Sequence, residues 1–377
     1  MNAVKNVVII GAGVGGLTLA HALTRRGIGA EVYEANPNLR PPGGGLIVPP
    51  NSARMLERLG LAAHLRGGVP LHRMQILDAG GQGLYERDQG DVRREQGFGL
   101  WGLPRAALHG ALLDALPEGT VHAGHRLHHL ETLGLKTYAV FENRRHVIAD
   151  LIVGADGAAS RTRQLLFPEA RLRATGQLAV RGVSEAPVPL RHGRAFTEFW
   201  GAGRRFTFFP IDEGRTYWHA ALREDRVPAR PSPAWLAGEY RAFPAPVQDL
   251  ILETPEAGLF STELRDLAPL PRWSVGNVAL LGDAAHATSP NLAQGAAQAI
   301  EDAAVLAELL AGETRLDWAL QRYQLRREAQ TAALVADSRH LGQLGQLRGG
   351  ARWLRNVGLK LNPELARRRI EAFYTEH

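Results

Sequence analysis

Gly11, Gly13 and Gly16 stand at GxGxxG spacing inside GAGVGG, which also holds Gly15, and Glu34 follows about 20 positions later. Glycines so placed allow a tight turn and a close approach of backbone to a pyrophosphate. An acid at that distance can accept hydrogen bonds from a ribose diol. A second set lies far along the chain: Gly282-Asp283, then Pro290, Ala293, Gln294, Gly295 and Ala296. Its small residues remove side chains that would hold a flat, partly anionic ligand off the backbone, and Asp283 can accept from a sugar hydroxyl. A third set is Asp156-Gly157, with Arg161 and Arg163 at the same rim. A Gly-Asp pair is by itself an ordinary turn signal, but three such sites in one chain are hard to explain by turns alone.

The elements that must position these residues are legible from pattern. NVVII, residues 6–10, reads as a central parallel strand, and the helix after it puts Leu17, Ala20 and Leu23 on one face before stopping at Gly27. A strand over residues 30–33 delivers Glu34. This strand–helix–strand context makes the glycine motif a dinucleotide site, and the carboxylate disfavours a 2′-phosphate, leaving FAD or NAD. Residues 278–281 form a buried strand, and an Ala-rich helix beginning near Gln294 aims free N–H groups outward. Arg105 falls in the first turn of an amphipathic helix, against the helix dipole, which a nearby anion would offset. Residues 176–221 change character: short, alternating, aromatic-rich segments predict an antiparallel sheet, with Phe196, Phe208, Tyr217, His219 and Arg181 as candidates to wall and orient a substrate. Beyond residue 303 the chain reads as helical, ending in basic amphipathic helices over 352–374.

Composition bounds the chemistry. The 377 residues contain no cysteine, which excludes thiolate nucleophiles, disulfides and iron–sulfur ligation. The formal charge is +6 with a sequence pI of about 9.9, yet the arginines are scattered and no nucleic-acid motif accompanies them. Histidines 122, 125, 128 and 129 lie in a segment that alternates like a strand and lacks acidic co-ligands, so no metal is expected. No apolar run is long enough to span a bilayer and none has a secretory layout, so a cytoplasmic location is expected.

In combination, GAGVGG with Glu34, RPPGGGLIVPPNSARMLERLGL, LPRAALHGAL, GADGAASRTR, FFPIDEGRTYWHA and LLGDAAHATSPNLAQGAAQAIEDA resemble the single-component FAD-dependent monooxygenases. That aromatic-hydroxylase class includes relatives of salicylate hydroxylase, zeaxanthin epoxidase and the tetracycline-modifying enzymes. The resemblance implies an α/β fold with an α+β substrate part: a Rossmann-like FAD-binding domain over residues 1–70, 100–175 and 276–335, an antiparallel-sheet substrate domain over 71–99 and 176–275, and C-terminal helices over 336–377. It also implies that Gly11, Gly13, Gly15, Gly16, Arg40, Gly45 and Arg105 lie along FAD, that Glu34 holds the adenosine ribose, and that Asp283 meets the ribityl or pyrophosphate part. Asp156 would serve FAD and the nicotinamide cofactor, while Pro290, Ala293, Gln294, Gly295 and Ala296 border the flavin ring. Pro290 is expected to face substrate as well. Two departures stand out: the class usually has glycine at the position of Ala293, and often asparagine at that of Ala297.

With one GxGxxG only, NADPH or NADH would bind transiently at the surface, helped by Arg161 or Arg163. The expected reaction is insertion of one oxygen atom from O2 into an aromatic or polycyclic small molecule through a flavin C4a-hydroperoxide. A reductase or dehydrogenase of the same fold acting on a lipid or prenyl substrate, and a non-catalytic flavin-binding protein, are the alternatives. A monomer or homodimer is expected.

Overall fold

The computed structural model describes residues 4–39, 44–133, 136–187 and 192–375. Arg40 lies outside them. The chain is α/β, with two principal sheets joined by helices and small hairpins.

The first sheet has the strand order 274–275, 278–280, 151–154, 6–10, 29–33, 121–122, parallel throughout except at its 274–275 edge. β-Branched and aliphatic residues cover both faces of its central strands: Val7, Val8 and Ile9 have no exposed surface, nor have Leu151, Ile152 and Val153. A strand buried on both faces needs continuous apolar sequence rather than alternation, as in NVVII and LIV. Helix Val14–Thr24 covers one face and packs with helix Gly295–Gly312. Its Leu17, Leu19 and Leu23 are fully buried, each contributing about 1.5–3 kcal/mol by leaving water. Strand ends at residues 10, 154 and 280 thus open onto a common edge, where open parallel sheets bind ligands.

The second sheet has seven strands in the order 260–267, 172–184, 216–223, 204–210, 195–200, 73–78, 83–88. All neighbours are antiparallel except 195–200 with 73–78. One face packs on helices Pro233–Glu239 and Val247–Leu252 through Phe199, Phe206, Phe208 and Trp218. The three-stranded sheet of Gly45–Val48, Trp101–Pro104 and Val69–Pro70 sits nearby. Gly45 approaches Tyr217 so closely that a Cβ on it would lie 2.4 Å from the tyrosine side chain. Helices Leu316–Gly345, Gly349–Leu361 and Pro363–Glu371 close the chain. Among the described residues no helix is long and apolar enough to cross a membrane.

Candidate active site

A cleft of about 350 Å³ runs between the two principal sheets. Gly13, Gly15, Gly45, Arg105, Asp283, Pro290, Ala293, Gly295 and Ala296 line it, and so do Arg181, Phe196, Tyr217 and His219. Residues about 280 positions apart in sequence therefore meet, because the strand ends at 10 and 280 share one edge of the parallel sheet.

The glycine turn has a division of labour. Gly11 sits at φ +107°, and a Cβ there would come within 2.5 Å of the Ala155 carbonyl oxygen. At Gly16 a Cβ would lie 2.0 Å from the Gly11 oxygen, so the helix can lie on the turn only with glycine here. Gly13 differs: a Cβ would meet no protein atom within 4 Å. The protein needs no glycine there for its own packing, and the vacant side faces the cleft, as a ligand's close approach requires. Glu34 accepts from the Ala12 N–H at 2.9 Å and from the Asn36 N–H at 2.7 Å, so it braces the glycine turn from behind.

Asp283 follows Gly282, whose φ is +61°, and starts a short helix over Asp283–His286. Its half-buried carboxylate has no hydrogen-bond partner among the described residues and lies 3.9 Å from where a Cβ on Gly295 would project. Burial pushes its pKa up, against the pull of His286, Arg105 and Arg163. A carboxylate held without a partner at a glycine-lined cleft fits a hydroxyl-bearing ligand, since a hydroxyl donor would repay its desolvation. Helix Gly295–Gly312 begins beside it, with positive partial charge at its free N–H groups. Ala293 has φ +54°, a left-handed conformation that costs a residue with a Cβ about 1–2 kcal/mol. The departure from glycine at this position is therefore carried as local strain.

Other expected site residues lie elsewhere. Phe208 points to the opposite side of its strand: it is fully buried with Phe199, Phe206 and Trp218, and Thr207 and Phe209 face the cleft instead. Asp156 is absorbed locally, accepting from Ser160 Oγ at 2.5 Å, the Thr162 N–H at 2.9 Å and Thr162 Oγ1 at 3.0 Å. Gln294 is buried behind the cleft wall, its amide oxygen accepting from Asn51 at 3.1 Å. Arg163 is only 2% exposed and donates to the Asp283 and Ala284 carbonyls at 3.3 and 3.1 Å, so it braces the turn and is not free at the surface for a reductant. Arg161 is exposed and donates twice to the His128 carbonyl.

Sequence reasoning missed two polar constructions. Asp302 accepts from the Gly282 N–H at 3.0 Å, His286 Nε2 at 2.6 Å and Arg327 Nε at 2.8 Å. Burial would raise its pKa, but His286 and Arg327 hold it well below the ordinary carboxylate value. Arg327 continues to Glu301 at 2.6 Å, and Glu301 to Asn51 at 2.5 Å. This buried network fixes the backbone that presents Asp283. Its one sequence signal is the Glu301-Asp302 pair inside an alanine-rich helix, where an unpaired charge would be costly. The second construction is at the substrate end. Arg205 pairs with Glu198 at 3.0 Å, both buried, and also contacts Asn291. The Arg205 Nε and Thr207 Oγ1 have no hydrogen-bond partner among the described residues. Desolvation lowers the pKa of the neighbouring His219 to about 3, with Arg181 and Arg205 adding to the effect. It is a neutral imidazole at physiological pH. Burial raises the Tyr217 phenol, which stays protonated.

Residues 5–338 match the family model of the FAD binding domain, so the chain belongs to that family. It is similar to the aurachin C monooxygenase/isomerase of Stigmatella aurantiaca, 33% identical over 360 residues and 94% of each protein. It is also similar to the 2-heptyl-3-hydroxy-4(1H)-quinolone synthase of Pseudomonas aeruginosa, 34% identical over 97% of this chain and 96% of that one. Among solved structures, Klebsiella pneumoniae HpxO complexed with FAD and uric acid superposes with a TM-score of 0.89 at 27% identity, covering 98% of this chain and 96% of that one. The protein is an FAD-dependent monooxygenase, an oxidoreductase with FAD as its cofactor.

Proposed function

We propose that the chain hydroxylates an aromatic or heteroaromatic ring bearing a hydrogen-bonding substituent, with a bicyclic quinolone as the first compound to test. The observation that carries this reading is the two-ended cleft. One end is glycine-lined around Asp283, and the other is a sheet face that sets Phe196, Phe209 and Tyr217 beside Arg205, Thr207 and His219. The aurachin and quinolone names of the similar proteins support the bicyclic choice.

FAD, when bound, accepts hydride from NADPH or NADH and activates O2 for oxygen insertion. In this reading Gly13 gives the pyrophosphate its close approach while Gly11, Gly15 and Gly16 let the turn and its helix pack around it, Arg105 offers it positive charge, and Asp283 accepts from a ribityl hydroxyl. Glu34 acts through the glycine turn, as well as toward the ribose. Pro290, Ala293, Gly295 and Ala296 border the ring, where the helix start offers partial positive charge to an anionic reduced flavin. Phe196 and Phe209 stack at 5.9 Å and Phe209 meets Tyr217 at 5.2 Å, forming an apolar wall that excludes water from the reacting oxygen. Thr207 and Arg205, which line this end of the cleft, offer a hydroxyl and a guanidinium to orient a polar substituent. Neutral His219 can accept or donate one more. The domain division at residues 71, 100, 176, 276 and 336 follows the same reading, as do a cytoplasmic location and a monomeric or homodimeric state.

The test is anaerobic flavin bleaching by NADPH and NADH, with and without quinolones, phenols and aromatic acids, then product analysis under 18O2. Labelled oxygen in a ring-hydroxylated product is expected. Hydride uptake without labelled product from any aromatic compound would overturn the reading.

A further inference from the structure

The two helices after Arg348 are built with two unlike faces. On the inner side Arg355 is buried, its guanidinium 5.0 Å from the Trp200 ring centre and its Nη1 donating to the Leu344 carbonyl at 3.1 Å. Leu359, Ala366 and Ile370 pack on Ile76, Leu84, Tyr85 and Trp200, and Glu371 pairs with Arg87 at 2.6 Å. The hairpin is thereby pinned to the body of the protein. Its outer side carries Trp353, Leu354, Leu361 and Leu365, exposed by 63, 63, 75 and 57%. Among the described residues these are four of the nine large apolar side chains so exposed, gathered within thirteen positions. At 3.6 residues per turn, Trp353, Leu354 and Leu361 fall away from the face of Arg355 and Leu359.

Charge accompanies the apolar face. Glu364 is paired with Arg367 and Arg368, and Glu371 with Arg87. Arg352, Lys360 and Arg369 have no ion-pair partner among the described residues. Lys360 lies seven residues after Trp353 and so on the same outward stripe of the helix, where its stem can cover apolar groups while its ammonium reaches a phosphate. A second copy of the chain is a poor occupant, because a two-fold contact would bring these same cations together.

We propose that helices Gly349–Leu361 and Pro363–Glu371 dock the enzyme on an anionic lipid surface. Trp353, Leu354, Leu361 and Leu365 enter the headgroup boundary, and the exposed Lys360 and Arg369 meet lipid phosphates. Exposed Trp and Leu with flanking cations on a pinned helix are the features that hold a protein in the interface plane without crossing it.

The experiment is sedimentation of the full-length holoenzyme with vesicles of phosphatidylcholine alone or mixed with phosphatidylglycerol, at low and high salt. Binding is expected only to the anionic vesicles and should weaken with salt. Two double variants, Trp353→Ser with Leu354→Ser and Lys360→Glu with Arg369→Glu, should each lower partitioning at least about tenfold. Unchanged flavin content and circular dichroism would show that both variants fold. No sedimentation of the parent chain with anionic vesicles, or undiminished sedimentation of both folded variants, would overturn the proposal. A parent chain that self-associates through Trp353 and leaves vesicles untouched would assign the face to a second copy and overturn it equally.

Discussion

The two faces of the seven-stranded sheet are made by the same strands and do opposite work. Along residues 205–209, Phe206 and Phe208 point into the helix-covered core, and Arg205, Thr207 and Phe209 point into the cleft. The adjoining strand repeats the split, with Trp218 inward and Tyr217 and His219 toward the cleft. On the core face polar groups are satisfied: Thr197 Oγ1 accepts from Gln75 at 2.8 Å, and Trp218 Nε1 donates to Thr254 at 2.9 Å. On the cleft face Thr207 Oγ1 is left without a partner among the described residues, and the half-buried His219 is desolvated to a pKa of about 3. A fold gains nothing from such unmet groups. An unmet hydroxyl beside aromatic side chains at the cleft fits a face whose side chains serve binding as well as folding.

The sharpest break of this contrast is Phe208→Ala, which should cost about 3–5 kcal/mol in urea unfolding. It should leave the KM for substrate within twofold, because the ring never reaches the cleft; a large change in KM at unaltered stability would reverse the assignment of faces. Glu198→Gln keeps an acceptor for Arg205 but removes its countercharge, so a loss of about 1–3 kcal/mol is expected in the same assay. Burial raises the pKa of Glu198, and full retention of stability would mean that it is already protonated.

The pH dependence has a fixed sign. His219 has a folded pKa of about 3 against an ordinary value of 6.5, so the unfolded chain binds its proton more readily. Its contribution to stability is complete above 6.5 and is lost as pH falls toward 3. His219→Gln should therefore flatten the stability–pH curve in that window, measured by denaturant midpoints, and an unchanged slope would contradict the desolvation of this half-buried imidazole.

The smallest effect compares two hydroxyls. Thr197→Val should cost about 1 kcal/mol by removing the nearer acceptor of the Gln75 amide, leaving His192 Nδ1 at 3.4 Å, while Thr207→Val should change stability by less than about 0.5 kcal/mol. Only Thr207→Val should raise the KM. Equal stability losses would erase the distinction between the faces.

Much of the dinucleotide half was legible because its residues answer to backbone geometry. Gly11 and Gly16 are demanded by the turn itself, and the apolar run of residues 6–10 by burial on both faces. Phe208 was misplaced because residues 206–209 put aromatics on both faces, so alternation gives the period but not the phase. Asp156 matched a fingerprint, yet its carboxylate is occupied by Ser160 and Thr162, a local competition that composition does not reveal. Arg327 and Asp302 lie on different helices, and nothing in their spacing announces that both secure the Gly282 turn.

The central claim is that Asp283, held without a protein partner at the cleft, is there for the cofactor. The most direct measurement is flavin stoichiometry, by visible absorbance, of purified Asp283→Ala beside the parent chain. The account predicts a folded protein that is largely flavin-free and regains FAD only at high concentration. Full FAD occupancy in the folded variant would contradict it.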